Sequence, residues 1–193
     1  MNTIIKTLFT ITVIFTLNVY AQIQKDKTIF TGNIGYQFLS NGENGHSMDG
    51  FSFGLAIEFM AAPNFSLGFG VGTVRSEDTC SKDSLSSEKS FSSWPIVLLL
   101  KYYFILESNV QPYIGFNIGW HYSDMSTVIT GPSAITEYAA SRNGLAISIP
   151  VGIAIFLSKT VFINTAIAGT YYDNTPFGNS LNFSANVGVD ITY

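Results

Sequence analysis

The sequence predicts an all-β fold, an eight-stranded antiparallel up-and-down β-barrel that crosses a membrane, and three observations support this prediction. First, 47% of the 193 residues are hydrophobic and only 11% are charged, whereas charged residues make up about 25% of an average soluble domain. Second, apolar residues recur at every second position in eight segments, which is the period of a strand with two different faces. Third, the connections between these segments alternate between short and long.

Residues 1–21 are predicted to be a secretory signal peptide. Lys6 gives the segment a positive start, residues 7–17 are apolar, and Ala21 offers a small residue for cleavage before Gln22. An apolar stretch of about 11 residues is too short for a spanning helix, which needs about 20. A lipoprotein would carry a cysteine where Gln22 stands. We therefore expect an exported chain whose barrel domain covers residues 22–193.

The alternation defines the eight strands. In residues 51–59 the odd positions are large and apolar, as at Phe51, Phe53 and Leu55, whereas the even positions are small or polar. Each segment has 11 to 13 residues, slightly more than the ~9–11 that cross a bilayer as a tilted strand. The predicted strands are 28–38, 50–60, 65–75, 92–104, 112–122, 145–157, 161–172 and 181–193.

The connections predict the topology. Those after the second, fourth and sixth strands are short, at 61–64, 105–111 and 158–160. The others include the two longest stretches, 76–91 and 123–144, which are polar and are expected to be loops. Tight turns on one rim and long loops on the other are typical of an even-numbered transmembrane barrel. This arrangement places both termini on the turn side.

The apolar stripe is predicted to face lipid. A soluble lipocalin-like barrel would turn it inward, but roughly 40 large side chains exceed the interior of eight strands. The other stripe carries Gly, Ser, Ala, Asn and Thr in place of the charges of a soluble exterior. A helical membrane protein is the second alternative, and the longest apolar run after the leader, residues 145–157, is too short to span as a helix.

Two stretches and the chain end carry a resemblance. They are Trp94–Phe104 (WPIVLLLKYYF), Pro112–Gly119 (PYIGFNIG) and a last strand that ends in the aromatic Tyr193. Over residues 28–193 the chain resembles the small outer-membrane β-barrels of Gram-negative bacteria, the OmpA/OmpX-like proteins. The resemblance implies contact with outer-membrane lipid and lipopolysaccharide, and recognition of the strand ending at Tyr193 by the barrel-assembly machinery. Both termini are expected in the periplasm. Because the sequence ends at Tyr193, the peptidoglycan-binding domain that some of these proteins carry is not expected.

Composition excludes several function classes. A net charge of −4 with nine basic residues predicts no nucleic-acid partner, because phosphate binding needs clustered Lys and Arg. The single cysteine, Cys80, is expected in an exposed loop and cannot form an intrachain disulfide or a Cys-based zinc site. No cofactor and no metal site is predicted.

Glu58, Lys101 and Asp190 are the first candidate site. Each lies about three residues from the turn-side end of its strand, on the inward face, so they are expected to share one level of the lumen. Buried charges are costly unless they are paired, and a lysine between two carboxylates would plug this half of the barrel. The alternative role is a gate for small ions.

His121, Ser123 and Glu137 are the second candidate site. A Ser–His–acid set requires a hydroxyl bonded to an imidazole that an acid orients. The His-x-Ser step resembles that of outer-membrane lipid A deacylases, although Asp124 follows the serine where their pattern has Asn. This resemblance implies a lipid A deacylase-like hydrolase as an alternative function.

The preferred function is that of a non-enzymatic outer-membrane protein with a filled lumen. It would act through its extracellular loops, in adhesion, envelope integrity or partner binding, because loops on a rigid barrel usually carry the binding sites. A diffusion porin is disfavoured, since water-filled channels need about 16 strands.

Overall fold

The computed structural model describes residues 26–41, 47–82, 85–104, 108–132, 134–176 and 178–193, and the predicted signal peptide lies outside them. Within these residues no helix is long and apolar enough to cross a membrane. The strands are β1 (Thr28–Asn41), β2 (Ser47–Ala62), β3 (Phe65–Lys82), β4 (Leu85–Tyr103), β5 (Val110–Thr130), β6 (Ile135–Phe156), β7 (Val161–Thr175) and β8 (Gly178–Thr192).

The eight strands form one closed antiparallel barrel in which chain neighbours pair and β1 closes on β8. Thr28 and Tyr193 exchange two main-chain hydrogen bonds at this closure, at 3.0 and 2.9 Å. The short connections after β2, β4 and β6 lie at the same end of the barrel as Thr28 and Tyr193. We call this the turn end and the opposite end the hairpin end. The predicted fold class is confirmed.

The pairing registers show that the strands are tilted. Following directly paired residues once around the wall from Val74 leads to Asn64, ten residues nearer the turn end. The path runs through Ser52, Gly35, Asn186, Ala166, Gly152, Tyr113 and Tyr103. A displacement of this size over eight strands corresponds to strands inclined by roughly 40° to the barrel axis.

Large apolar side chains cover the outside of the barrel. Phe51, Ile34 and Ile167 are exposed to 73%, 65% and 68%, although such side chains are usually buried in soluble domains. The alternate positions point into the lumen and include buried polar residues such as Glu58 and Ser66. The apolar stripe therefore faces outward, as predicted, and a soluble barrel with an apolar ligand cavity is excluded.

The prediction that residues 76–91 and 123–144 are loops is wrong, because most of them continue the strands. β3 stays paired with β4 up to Lys82, and β5 stays paired with β6 up to Thr130. β4 also pairs with β5 up to Ser86, so the two hairpins form one four-stranded sheet. Above Ser76, Phe91 and Ser123, which are buried at the base of this sheet, both faces meet water. The alternation of apolar and polar residues disappears there, because a two-residue period requires one dry face.

We call residues 76–92 and 123–143 the hairpin extension. It begins just above the exposed Trp94 and Tyr122, whose rings stack at 5.9 Å, and such residues typically mark a membrane interface. The seven residues from Asp124 to Thr130 carry the sheet roughly 20 Å beyond this aromatic rim. The strands of β3 to β6 are therefore partly wall and partly extension.

Candidate functional site: a plugged lumen and an extended rim

Two clusters of buried apolar side chains occupy the two ends of the lumen, which in a barrel of eight strands is narrow enough for side chains to fill. The turn-end plug consists of Ile29, Met60, Tyr103, Tyr113, Ala154, Phe156, Phe162 and Ala166. The hairpin-end plug consists of Leu39, Met48, Val74, Phe91, Ala146 and Tyr172.

A cavity of about 210 Å³ lies between the two plugs. Tyr113 of the turn-end plug and Tyr172 of the hairpin-end plug both line it, so it spans the middle of the lumen. Its remaining lining is mostly small or polar and includes Asn33, Asn117 and Asn186. A space of this size that contains several polar side chains accommodates water. The lumen is thus a chamber between two plugs.

Glu58 and Lys101 form an ion pair at the turn end of this cavity. Lys101 Nζ lies 2.6 Å from Glu58 Oε1, and Ser66 Oγ donates to Glu58 Oε2 at 2.7 Å. Glu58 is fully buried, and a buried carboxylate is costly unless its oxygens are bonded. Both of its oxygens have such a partner.

Asp190 reaches the same region from β8, where an amide and not the lysine holds it. Asn164 Nδ2 donates to Asp190 Oδ2 at 2.5 Å. Among the described residues, the ion pair of Lys101 is with Glu58 alone. Lys101 Nζ also lies 5.2 Å from the centre of the Tyr113 ring, a distance at which a cation is attracted to the ring. The structure therefore brings the three predicted residues to one region but makes only one ion pair.

His121 and Ser123 lie beside the hairpin-end plug, and both are fully buried. His121 Nε2 is 2.7 Å from the main-chain oxygen of Asp173, and because a carbonyl only accepts, Nε2 carries the proton. In the neutral ring Nδ1 then accepts from the Ser123 hydroxyl, at 2.8 Å. Tyr172 packs edge-on against the imidazole at 5.1 Å. The pair fastens β5 to β7, next to a register shift between β7 and β8.

Glu137 does not join this pair. It lies opposite Val128 on the exposed part of β6, and Val128 is seven residues beyond His121 along β5, or roughly 23 Å. The main-chain oxygen of Asp173 occupies the ring nitrogen that a triad would give to its acid. Ser123 points into the lumen, away from lipid. The predicted Ser–His–acid arrangement is therefore not formed by these residues.

The hairpin extension has two strand edges that pair with no residue of the described ranges. Within the part of the chain that the structure describes, β3 has no partner on its β2 side over residues 78–82, and β6 has none on its β7 side over residues 135–142. Below the free edge of β6, Asn174 Nδ2 donates to the main-chain oxygen of Asn143 at 2.8 Å, which ties the base of the extension to β7. An open strand edge offers its main-chain groups to another chain.

Two partners in these sites were not predicted from the sequence. Ser66 is recognisable as a neighbour of the ion pair only once β3 and β4 are paired, because it lies directly opposite Lys101. Asp173 contributes its main-chain oxygen. Every residue has such an oxygen, so no pattern in the sequence indicates which one binds the histidine.

The tilted wall, the apolar outer band, the aromatic rim and the plugged lumen together define a small transmembrane β-barrel. The family described as "Outer membrane protein beta-barrel domain" matches residues 7–190. The chain belongs to this family and is therefore a protein of the outer membrane. Its sequence matches none of the curated proteins with which it was compared.

Solved structures of small outer-membrane proteins share the fold. The Neisserial surface protein A structure has a TM-score of 0.60 at 15% identity, covering 85% of this chain and 96% of that one. Ail, the attachment invasion locus protein of Yersinia pestis, has 0.57 at 9%, covering 88% and 100%. A major outer membrane protein from Thermus thermophilus has 0.57 at 15%, covering 86% and 99%. The predicted resemblance is confirmed at the level of the fold.

Proposed function

We propose that this protein is a non-enzymatic outer-membrane protein that binds other proteins through its hairpin extension. The observation that carries the proposal is the extension itself, a paired four-stranded sheet that stands on a rigid barrel and opens two strand edges to water. A sheet held by main-chain bonds presents its faces in a fixed geometry, which lowers the entropic cost of binding. The turn end would face the periplasm and the extension the outside of the cell.

The charge of the extension favours a protein partner over a polyanion. Residues 76–92 and 123–143 contain three basic residues, Lys82, Lys89 and Arg142. They contain six acidic residues, which are Glu77, Asp78, Asp83, Glu88, Asp124 and Glu137. The structure of Yersinia pestis Ail has been solved with the heparin analogue sucrose octasulfate. An acidic surplus repels such a ligand, so we expect a neutral or basic protein surface as the partner here.

The interior supports neither catalysis nor free conduction. Ser123 is fully buried and is held against His121, so it is not presented to a lipid substrate. Both ends of the chamber carry apolar plugs. The outward, 76% exposed Tyr193 at the closing strand suits recognition by the barrel-assembly machinery, and the apolar band suits contact with lipopolysaccharide acyl chains.

A trimmed variant tests the proposal. Replacing residues 126–139 by Asn-Gly joins Met125 to Ala140, which already pair, through a turn that suits a two-residue hairpin. Cells carrying the trimmed protein should attach less to immobilised basic extracellular proteins, such as lysozyme and lactoferrin, than cells carrying the full protein. They should also survive detergent with EDTA less well if the extension supports the envelope.

Two results would overturn the proposal. One is equal attachment and equal survival of the two strains when surface labelling shows equal amounts of protein. The other is a change in lipid A acylation that depends on the presence of the protein and is lost in Ser123→Ala, which would restore the hydrolase hypothesis.

A further inference from the structure

We infer that neighbouring copies of this chain pair edge to edge, with β6 of one copy adding to β3 of the next, so that their hairpin extensions form one continuous sheet above the membrane. The inference rests on the proposed function, because it uses the same extension and assigns its edges to a second copy. The faces of the sheet stay available to other proteins.

Strand direction makes the two open edges complementary. β3 runs away from the turn end and β6 runs towards it. Copies in one membrane share one orientation, so the β6 edge of one copy meets the β3 edge of the next antiparallel. Two β6 edges, or two β3 edges, would meet parallel, which is the slightly less stable pairing. Unlike edges are therefore the favoured partners.

The main-chain groups of both edges are correctly placed. Tyr103 N donates to Asn64 O and Phe156 N donates to Asn109 O, both at 2.8 Å. Because bonded residues alternate along an antiparallel pair, the even-numbered residues of β3 bond to β4 and those of β6 bond to β5. The odd-numbered residues of both strands consequently direct their N–H and C=O groups to the open edges.

The tilt of the strands fixes the height at which the edges meet. The displacement of ten residues around the whole barrel becomes about five residues across four strands. Within one copy, Asp78 and Tyr138 lie in the same cross-strand row. For two copies at equal height, Tyr138 must therefore meet a position about five residues above Asp78, which is close to Lys82.

Side-chain faces and charge select one register near this height. Directly opposite residues of a sheet share a face. Even-numbered residues of β3 must therefore lie opposite even-numbered residues of β6, so the allowed registers differ by steps of two residues. In one of them Asp78 lies opposite Arg142, and opposite charges at facing positions stabilise a pair. This register also aligns the bases of the two open edges, since the free edge of β3 begins at Asp78 and that of β6 at Arg142.

The same register gives hydrogen-bonded pairs at the odd positions. Thr79 meets Ser141 and Ser81 meets Ala139, so four main-chain bonds join the two edges. Such a contact is small, but confinement to one membrane raises the effective concentration of the partner. We therefore expect reversible rows of copies and not a permanent oligomer.

The spacing of copies fits a packed membrane. Four strands ~4.8 Å apart, inclined by roughly 40°, repeat every ~25 Å along the membrane. Eight strands at this inclination give a barrel about 16 Å wide at its backbone, and side chains between two packed walls add ~10 Å. Neighbouring barrels can therefore stand side by side while their extensions pair.

The native cysteine provides a direct test. In the inferred register Cys80 lies opposite Ala140 of the next copy, at a Cα separation of ~4.5 Å that a disulfide can bridge. Within one chain the two positions are three strands apart and four residues out of row, roughly 19 Å in all, which is too far for a disulfide. Mild oxidation of whole cells carrying Ala140→Cys should therefore produce a ladder of dimers, trimers and larger species on a non-reducing gel.

Matched variants separate this register from random collision. Ser141→Cys lies one residue away on the opposite face and should cross-link several-fold less. Combining Ala140→Cys with Cys80→Ser should abolish the ladder, whereas dimers in that variant would indicate contact between two β6 edges. Arg142→Asp in the Ala140→Cys protein should weaken the ladder, and adding Asp78→Arg should restore it. A heat-dependent gel shift checks that each variant is folded.

The outcomes distinguish the two proposals. Equal cross-linking at positions 140 and 141, dimers alone, or no cross-linking in a folded protein would overturn the inferred pairing. If the trimmed variant nevertheless loses attachment, the proposed function stands with a different occupant of the edges. If the ladder forms but trimming leaves attachment and survival unchanged, the inferred self-assembly is supported and the proposed binding of other proteins is overturned.

Discussion

The wall and the hairpin extension use the same four strands, β3 to β6, but they respond to their surroundings in opposite ways. In the wall one side of each strand faces lipid and the other faces a crowded lumen, so nearly every side chain is constrained by size or polarity. In the extension, above the buried Phe91 and Ser123 at its base, both sides meet water, and only the main-chain ladder is shared with the wall. The comparison shows that strand pairing alone does not produce the alternation by which a membrane strand is recognised.

The loss of a lysine should give the largest difference in stability between the wall and the extension. Lys101→Met leaves Glu58 charged and buried without its ion-pair partner, and such a change typically costs about 3–5 kcal/mol. Lys89→Met, in the extension opposite Asp78, should cost less than ~1 kcal/mol, because surface pairs contribute little. Urea unfolding of the two variants in lipid vesicles measures both values, and single-channel recording shows whether Lys101→Met also raises conductance.

The double variant Glu58→Gln/Lys101→Met provides the control, since it removes both charges and should recover much of the loss. Unchanged stability together with unchanged conductance in Lys101→Met would contradict a structural role of the cluster.

The free-energy cost of a charge on the outer face should also differ between the wall and the extension, by nearly as much as the cost of losing a lysine. Leu55→Arg places a cation in the middle of the apolar band, where it should cost about 2–4 kcal/mol. Ile135→Arg, at a side chain that is 68% exposed in the extension, should be close to neutral. Folding titrations into lipid vesicles compare the two, and equal costs would mean that the extension is also immersed in lipid.

A smaller effect is expected at the junction of the two regions. Ser123→Ala removes the donor to Nδ1 of His121 and leaves a buried acceptor without a partner, at a cost of about 1–3 kcal/mol. Ser126→Ala, whose Oγ is 2.9 Å from that of Ser90 on the exposed sheet, should change stability little. Hydrogen exchange at the β7 residues beside Asp173 should quicken in the first variant alone.

The smallest effect on the wall should come from the largest deletion. The variant with residues 126–139 replaced by Asn-Gly should keep the heat-dependent gel shift and the unfolding midpoint of the full protein, because the plugs and the closing strands are intact. A lost gel shift would show that the extension is required to close the barrel.

The wall was predictable from the sequence because each strand there has two chemically different faces. Phe51 and its neighbours alternate with small residues, so strand positions, facing and closure all follow from the period of two. The candidate Glu58, Lys101 and Asp190 were predictable as lumen residues for the same reason, since each is a charge on the small-residue face. The sequence did not predict that Lys101 pairs with Glu58 and not with Asp190, because this depends on where around the wall each strand lies.

The extension was not predictable by that signal. Ser90, Ser126 and Ala139 carry no contrast between faces, so a paired strand and a polar loop have the same composition there. The separation of Glu137 from His121 follows from the same error, since a loop could fold back on the histidine but a strand holds the carboxylate far from it.

The bonds between Thr28 and Tyr193 make the polypeptide nearly a ring, because its first and last strands are neighbours like any other two. In a ring of equivalent hairpins the place where the chain begins is set by synthesis and not by the finished structure. A chain with Thr28 and Tyr193 joined by a short linker and opened in the connection after β2 keeps every strand pair, and surface termini of this kind tolerate circular permutation. The native strand order slows folding, because the β1–β8 pair joins residues from opposite ends of the chain. This pair cannot form until the last strand is present.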